Sequence, residues 1–224
     1  MSAVSSFPCD SAGGPNGLRP QHLKDLLGGL RHPMSLQLAQ ALAALVGLML
    51  DGKVPEDVCP ALYGASLIAL LKKTGRIRPI AVGNTLRRLA GKIVSKRVME
   101  ATGNLVRPQQ LGYGTRGGAK TAVHSTRAFH SGQTGCQTLL KLDFRNAFNS
   151  AHRDRLLEEA QKFLPEIYPF IFRCTDRQQI SSTASTSSLR PGGSTERPPR
   201  AIVVLSSDPE PVQVASVALQ CMVS

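Results

Sequence analysis

Between Leu71 and Met99 nine side chains are basic (Lys72, Lys73, Arg76, Arg78, Arg87, Arg88, Lys92, Lys96 and Arg97) and none is acidic. Unpaired charges are too costly to bury, so this stretch must form surface elements with their apolar sides turned inward. The pattern allows that. Arg76-Ile77-Arg78-Pro79-Ile80-Ala81-Val82 alternates as a strand does, and Pro79 restricts it to an edge or a strand end. Asn84 or Thr85 can cap a following helix to about Ala101, with Leu86, Leu89, Ala90, Ile93 and Val94 on its apolar face. Arg88, Lys92 and Lys96 fall four apart on another face of that helix. Like charges at this spacing cost a few tenths of a kcal/mol per pair. A merely solvated face normally mixes signs, so a row of one sign points to phosphates that offset the repulsion. A basic turn through Lys73 would hold Arg76 and Arg78 two apart on one strand face. Guanidinium forks so placed suit a triphosphate.

The rest of the composition narrows the class. The 224 residues carry 27 Lys and Arg against 15 Asp and Glu, a net charge of +12, which favours a polyanionic partner. Apolar residues make up 42% of the chain but aromatics only 4%, with no Trp, so the core must be built from Leu, Ile, Val and Ala. The five cysteines, Cys9, Cys59, Cys136, Cys174 and Cys221, are widely spaced and odd in number. This argues against a zinc knuckle or a full disulfide framework and for free thiols in a reducing compartment. The first residues lack the basic and apolar regions of a secretory signal, so an intracellular chain is expected. Met34 to Leu50 is the most apolar stretch. Ser35, Gln37 and Gln40 interrupt it, and Leu38, Leu42, Leu45 and Met49 recur at helical spacing, which predicts a buried core helix and no membrane span.

Further elements follow from local pattern. Ser11 to Gly17 reads as loop, Gln21 to Leu27 as a short helix, Ala61 to Leu70 as another, and Gly103 to Gly118 as a glycine-rich connection. Ala119 to Phe129 and Asp154 to Phe163 read as helices, and Thr138 to Phe144 as a strand. From about residue 175 the chain turns to Ser, Thr, Pro, Gly and Arg, which cannot bury enough apolar area to offset the entropy of ordering, so a disordered tail is expected.

Leu139-Leu140-Lys141-Leu142-Asp143-Phe144-Arg145-Asn146-Ala147-Phe148 carries the most specific chemistry. Asp143 comes where the strand should end. A carboxylate there can hold a divalent metal, and two-metal phosphoryl transfer uses such a group. A lone strand-end Asp also serves as a cap or ion-pair partner, and spacing alone does not choose between these roles.

Leu140 to Ser150 resembles motif A of reverse transcriptases, especially those of non-LTR retrotransposons. Three further segments resemble the same family in the same order: Ser11 to Leu18, which opens the domain; Gly75 to Val82, the fingers strand with its Arg-Pro-Ile; and Gln110 to Ala122, which precedes motif A. The resemblance covers roughly residues 10 to 172. It implies an α/β (α+β) fold: an incomplete fingers and palm with a helix-rich N-terminal part at 1–70, a basic fingers hairpin, helix and connection at 71–135, a partial palm at 136–172 and a tail at 173–224. It implies that Asp143 is the first metal-binding catalytic aspartate, that Phe144 supplies backbone beside the metal, and that Phe148 is the steric gate under the sugar. Arg76 and Arg78 would lie near the incoming triphosphate, with Lys73, Arg88, Lys92 and Lys96 on nucleic acid. Gly114 to Gly118 would come close to the template. The implied partners are an RNA template, a DNA primer and a deoxynucleoside triphosphate, with Mg²⁺ as cofactor.

The resemblance also implies parts that are not found. The family's second aspartate site is written Tyr/Phe-x-Asp-Asp, and no Asp-Asp occurs in these residues. Its Gln-Gly/Ser-Asp-Pro segment and thumb are likewise unmatched. Read one base later with permitted codons, Gly193 to Ser206 is compatible with Val-Gln-Gln-Ser-Asp-Pro-Leu-Gly-Pro-Leu-Leu-Phe-Ser. The expectation is that the frame is lost between about Phe172 and Gly193. The chain is then an inactive fragment of an RNA-directed DNA polymerase. The rivals are a nucleic-acid-binding remnant and a translated relic without a selected role. Reading the neighbouring frame of the coding DNA tests this: a shifted translation that does not match ends the idea.

Overall fold

The computed structural model describes residues 2–28, 32–71, 75, 77–108, 110–132, 152–175 and 190–191, the residues 78, 79, 190 and 191 by their backbone alone. The described elements are helices α1 (Ser2–Ser5), α2 (Pro20–Leu27), α3 (Pro33–Leu50) and α4 (Cys59–Tyr63), strands β1 (Ala65–Leu71) and β2 (Ile77–Gly83), helices α5 (Thr85–Val106), α6 (Gly118–Ser131), α7 (Arg153–Phe163) and α8 (Tyr168–Thr175), and the two-residue strand β3 (Arg190–Pro191). This is a helix-rich domain with a small open sheet. Two compact units divide it, one holding the residues up to Val94 together with α8 and β3, the other running from Ser95 to Leu164.

In the first unit the sheet order is β2-β1-β3. β1 and β2 are antiparallel with Leu71 opposite Ile77 and Ala65 opposite Gly83, so residues 72–76 join them. Pro79 stands opposite Ala69 on a strand at the edge of the sheet, the position to which a residue without an N–H is confined. β3 lies parallel to Leu70 and Leu71. Ser66, Ile68 and Leu70 are half-buried, while Leu67, Ala69 and Leu71 are exposed.

One core cluster joins Val4, Phe7, Leu23, Leu27 and Leu89, with Leu38, Ala39, Leu42, Leu86 and Ile93 packed against it. The apolar face read for α5 is therefore the face that is covered. Elsewhere in this unit α8 packs on α3 and α4. The Tyr63 and Phe170 rings are 6.2 Å apart, and Met49, Cys59, Ile167 and Ile171 are buried. α8 was not foreseen in the sequence, although Phe170 and Ile171 are fully buried.

Two expectations are corrected. Ala61 to Leu70 is not one helix: α4 ends at Gly64, whose backbone is extended, and β1 begins at Ala65. Ala, Leu and Ile permit either state, and pairing with β2 overrides the helical tendency of a short apolar run. α3 is not a buried core helix. Its stripe of Leu38, Leu42, Leu45 and Met49 turns inward, but Met34, Leu36 and Leu48 are exposed. By length and composition alone α3 could also cross a membrane.

In the second unit the later part of α5 buries Val98, Thr102 and Val106, spaced four apart. The helix runs five residues past its expected end at Ala101. Arg107 then turns its side chain to the 110–118 loop, donating to the Gly114 carbonyl at 3.2 Å and to Thr115 Oγ1 at 3.3 Å. α7 buries Leu156 and Ala160 and is followed by the buried Leu164.

Candidate nucleic-acid interface

The N-terminus of α5 is where the described site residues gather. Asn84 is its cap: Oδ1 accepts from the Leu86 N–H at 2.9 Å, and the Asn84 carbonyl accepts from the Arg88 N–H. Asn84 is buried, and its Nδ2 donates to the Ala61 carbonyl at 2.9 Å, tying the helix start to α4. Thr85 is buried too and donates its hydroxyl to the Leu18 carbonyl.

The loop 11–18 lies against this junction. A Cβ on Gly14 would stand 2.6 Å from Asn84 Cα and 2.9 Å from the Gly83 carbonyl oxygen, so the two backbones meet only because Gly14 has no side chain. Asn16 Oδ1 accepts from the Leu18 N–H, closing the turn. Loop 11–18 is thus part of the platform on which α5 starts.

Arg87 and Arg88 are both half-buried and hydrogen-bonded within the protein. Arg87 Nη1 donates to the Tyr63 carbonyl at 2.9 Å. Arg88 Nη2 donates to the Ala12 carbonyl and to Thr85 Oγ1, while its Nε is buried without a partner among the described residues. Burial lowers the Arg88 pKa from its ordinary value. Lys92, also half-buried, has Nζ 4.8 Å from the centre of the Phe7 ring and 3.5 Å from the Ser6 carbonyl oxygen. Lys96 is exposed. At the hairpin, Arg78 is opposite Leu70 in the register, and Gly75 takes a positive φ of 75° in the turn.

Lys73 and Arg76 lie outside the described residues, as do Asp143, Phe144 and Phe148. Among the described residues no three His, Cys, Asp or Glu side chains come together as a metal site would require. At the start of α6, a Cβ on Gly118 would fall 1.8 Å from the Leu111 carbonyl oxygen, so Gly118 is in close approach to the chain itself.

The model of one family, described as reverse transcriptase (RNA-dependent DNA polymerase), matches residues 70–195, more than half of the sequence. The chain belongs to the reverse transcriptase family. No curated protein and no solved structure matches it. The match begins at Leu70, so the basic hairpin, α5 and the loop after it are all reverse transcriptase sequence. α1, α2 and α3 precede the match.

Sequence reasoning did not find Phe7 or Lys24. Lys24 Nζ donates to the Phe7 carbonyl at 2.7 Å, and Phe7 is only 4% exposed. A local signal did exist. Val4 and Phe7, three apart in a polar stretch and followed by Pro8, mark one apolar turn.

Proposed function

We infer that this chain is the fingers and a partial palm of an RNA-directed DNA polymerase of the non-LTR retrotransposon type. It binds nucleic acid through its basic hairpin and helix and, as written, does not polymerise. The observation that carries the binding is the acid-free run from Leu71 to Met99, which lies wholly inside the matched residues. Arg76 and Arg78 would meet the triphosphate or the template backbone, and Lys73, Arg88, Lys92 and Lys96 further phosphates. Binding of this kind releases counterions and weakens steeply with salt.

Inactivity follows from the donor set. The family's reaction is attack of a primer 3′-hydroxyl on the α-phosphate of a deoxynucleoside triphosphate, with pyrophosphate leaving. Mg²⁺, when bound, supplies charge stabilisation at the reacting oxygens. Two such ions need several carboxylate oxygens. Asp143 has no acidic neighbour before Asp154, and these residues hold no Asp-Asp pair. The residues present do not fit the two-ion arrangement, so no step of the reaction is assigned to them. Phe148 as a steric gate and Phe144 as a backbone contact belong to the same inherited but incomplete site.

The proposed loss of frame between about Phe172 and Gly193 rests on the neighbouring-frame reading of Gly193 to Ser206 alone, since the family match runs through that stretch to residue 195. The coding DNA read one base later tests this directly.

The binding is tested by titrating the full chain with a single-stranded RNA at several salt concentrations. Arg76→Ala with Arg78→Ala should weaken binding and flatten the salt slope by about 1.4, two phosphate contacts at about 0.7 each. An unchanged affinity and slope would contradict the proposal.

A further inference from the structure

We propose that the N-terminal segment Ser2 to Phe7 is an autoinhibitory strap, held over Arg88 and Lys92, that nucleic acid must displace before those two cations can meet phosphate. The proposal rests on the reading of the basic helix as a phosphate-binding element.

Three cations from two helices converge on this short segment. Lys24 donates to the Phe7 carbonyl at 2.7 Å. Lys92 Nζ stands 4.8 Å from the centre of the Phe7 ring, and Arg88 Cζ 5.7 Å from it. Lys92 also reaches the Ser6 carbonyl oxygen at 3.5 Å. None of these three cations is in an ion pair among the described residues. The strap meets them with a ring face and carbonyl oxygens, groups that attract a cation without neutralising it. A phosphate does neutralise it, and so competes for the same charges with the stronger interaction.

The strap is anchored as well as placed. Val4 and Phe7 belong to the buried core cluster with Leu23, Leu27 and Leu89. With Phe7 4% exposed, its ring offers no face on which a base could stack. Phe7 in this position therefore covers a binding surface and is not part of one. Lifting it takes the ring away from Arg88 and Lys92 together, because one ring faces both, and frees Lys92 from the Ser6 carbonyl, while Arg88 keeps its bonds to the Ala12 carbonyl and Thr85 Oγ1.

The test uses the full chain and poly(U) as probe. Phe7→Leu keeps an apolar anchor in the cluster and removes the ring face. It should tighten binding several-fold at about 0.1 M salt and steepen the salt slope by about 1.4, the value for two added contacts on a single strand. Adding Arg88→Ala and Lys92→Ala to Phe7→Leu should return the slope to that of the unaltered chain. A folded Phe7→Leu chain with unchanged slope, or a steep slope that survives the two alanines, overturns the strap. Hydrogen exchange on the unaltered chain gives a second readout that does not depend on the variant folding. The Ser6 and Phe7 amides, bonded to the Ser2 and Val4 carbonyls at 3.1 and 3.3 Å, should exchange faster when poly(U) is bound. Unchanged exchange in the bound chain also overturns it. If Arg76→Ala with Arg78→Ala weakens binding while Phe7→Leu changes nothing, the strap alone fails. If neither pair of changes has an effect, the phosphate-binding reading fails with it.

Discussion

Individual side chains explain why the start of α5 is so fully tied down. Asn84 makes a cap and a tertiary hydrogen bond, Gly14 brings two backbones together, and Arg87 bridges α5 to the end of α4. Of these, a cap at Asn84 or Thr85 was legible in the sequence, because capping is a local rule, and the choice of Asn84 was not. The partners of Arg88 and Lys92 were not. Ala12 and Ser6 lie 76 and 86 positions away, and no periodicity brings them together. The row four residues apart was read correctly as a row, but two of its members spend part of their charge inside the protein. Cys174 lies in this neighbourhood too. Burial pushes its thiol up to about 11, against a smaller opposing pull from Arg87. A folded-state pKa above the unfolded value of 9.0 means that stability from this group is full below about pH 9 and is lost as pH rises towards 11. Urea midpoints should therefore hold up to about pH 9 and then fall, and Cys174→Ala should remove part of that fall. A midpoint that rises across this window would contradict the burial of the thiol.

At the level of elements, periodicity was a good guide to helices and a poor one to burial. α2, α5, α6 and α7 lie close to where their patterns put them, and β2 carries its proline on an edge as expected. β1 was misread because a short run with six apolar residues in seven suits a helix or a strand, and the choice is made by a partner strand further along the chain. α3 was read as core because its inward stripe is clear, but the stripe says nothing about the other faces. Met49 is fully buried, while Leu36 is 51% exposed. Met49→Ala should cost about 2–5 kcal/mol, and Leu36→Gln less than about 0.5 kcal/mol, by chemical denaturation. Equal costs would mean that α3 is covered on both faces. The strand expected through Asp143 lies outside the described residues, and the segment falls within the family match.

At the scale of the whole molecule, the chain is a reverse transcriptase family member whose proposed role separates binding from catalysis. A net charge of +12, much of it in the hairpin and α5, is the feature on which the proposed binding of a polyanion rests. Catalysis asks for more, because developing charge at the transferred phosphate must be met by preorganised groups, and the proposed inactivity rests on the want of a second carboxylate site to join Asp143. Family membership was legible from four short segments in order, and the match over residues 70–195 bears it out at that level. The most direct measurement is primer extension on an RNA template with Mg²⁺, comparing the purified chain with an Asp143→Ala variant. No extension above the variant is expected. Extension that disappears in Asp143→Ala would mean that further metal ligands come from residues outside this donor set or from a partner chain, and would contradict the proposed inactivity.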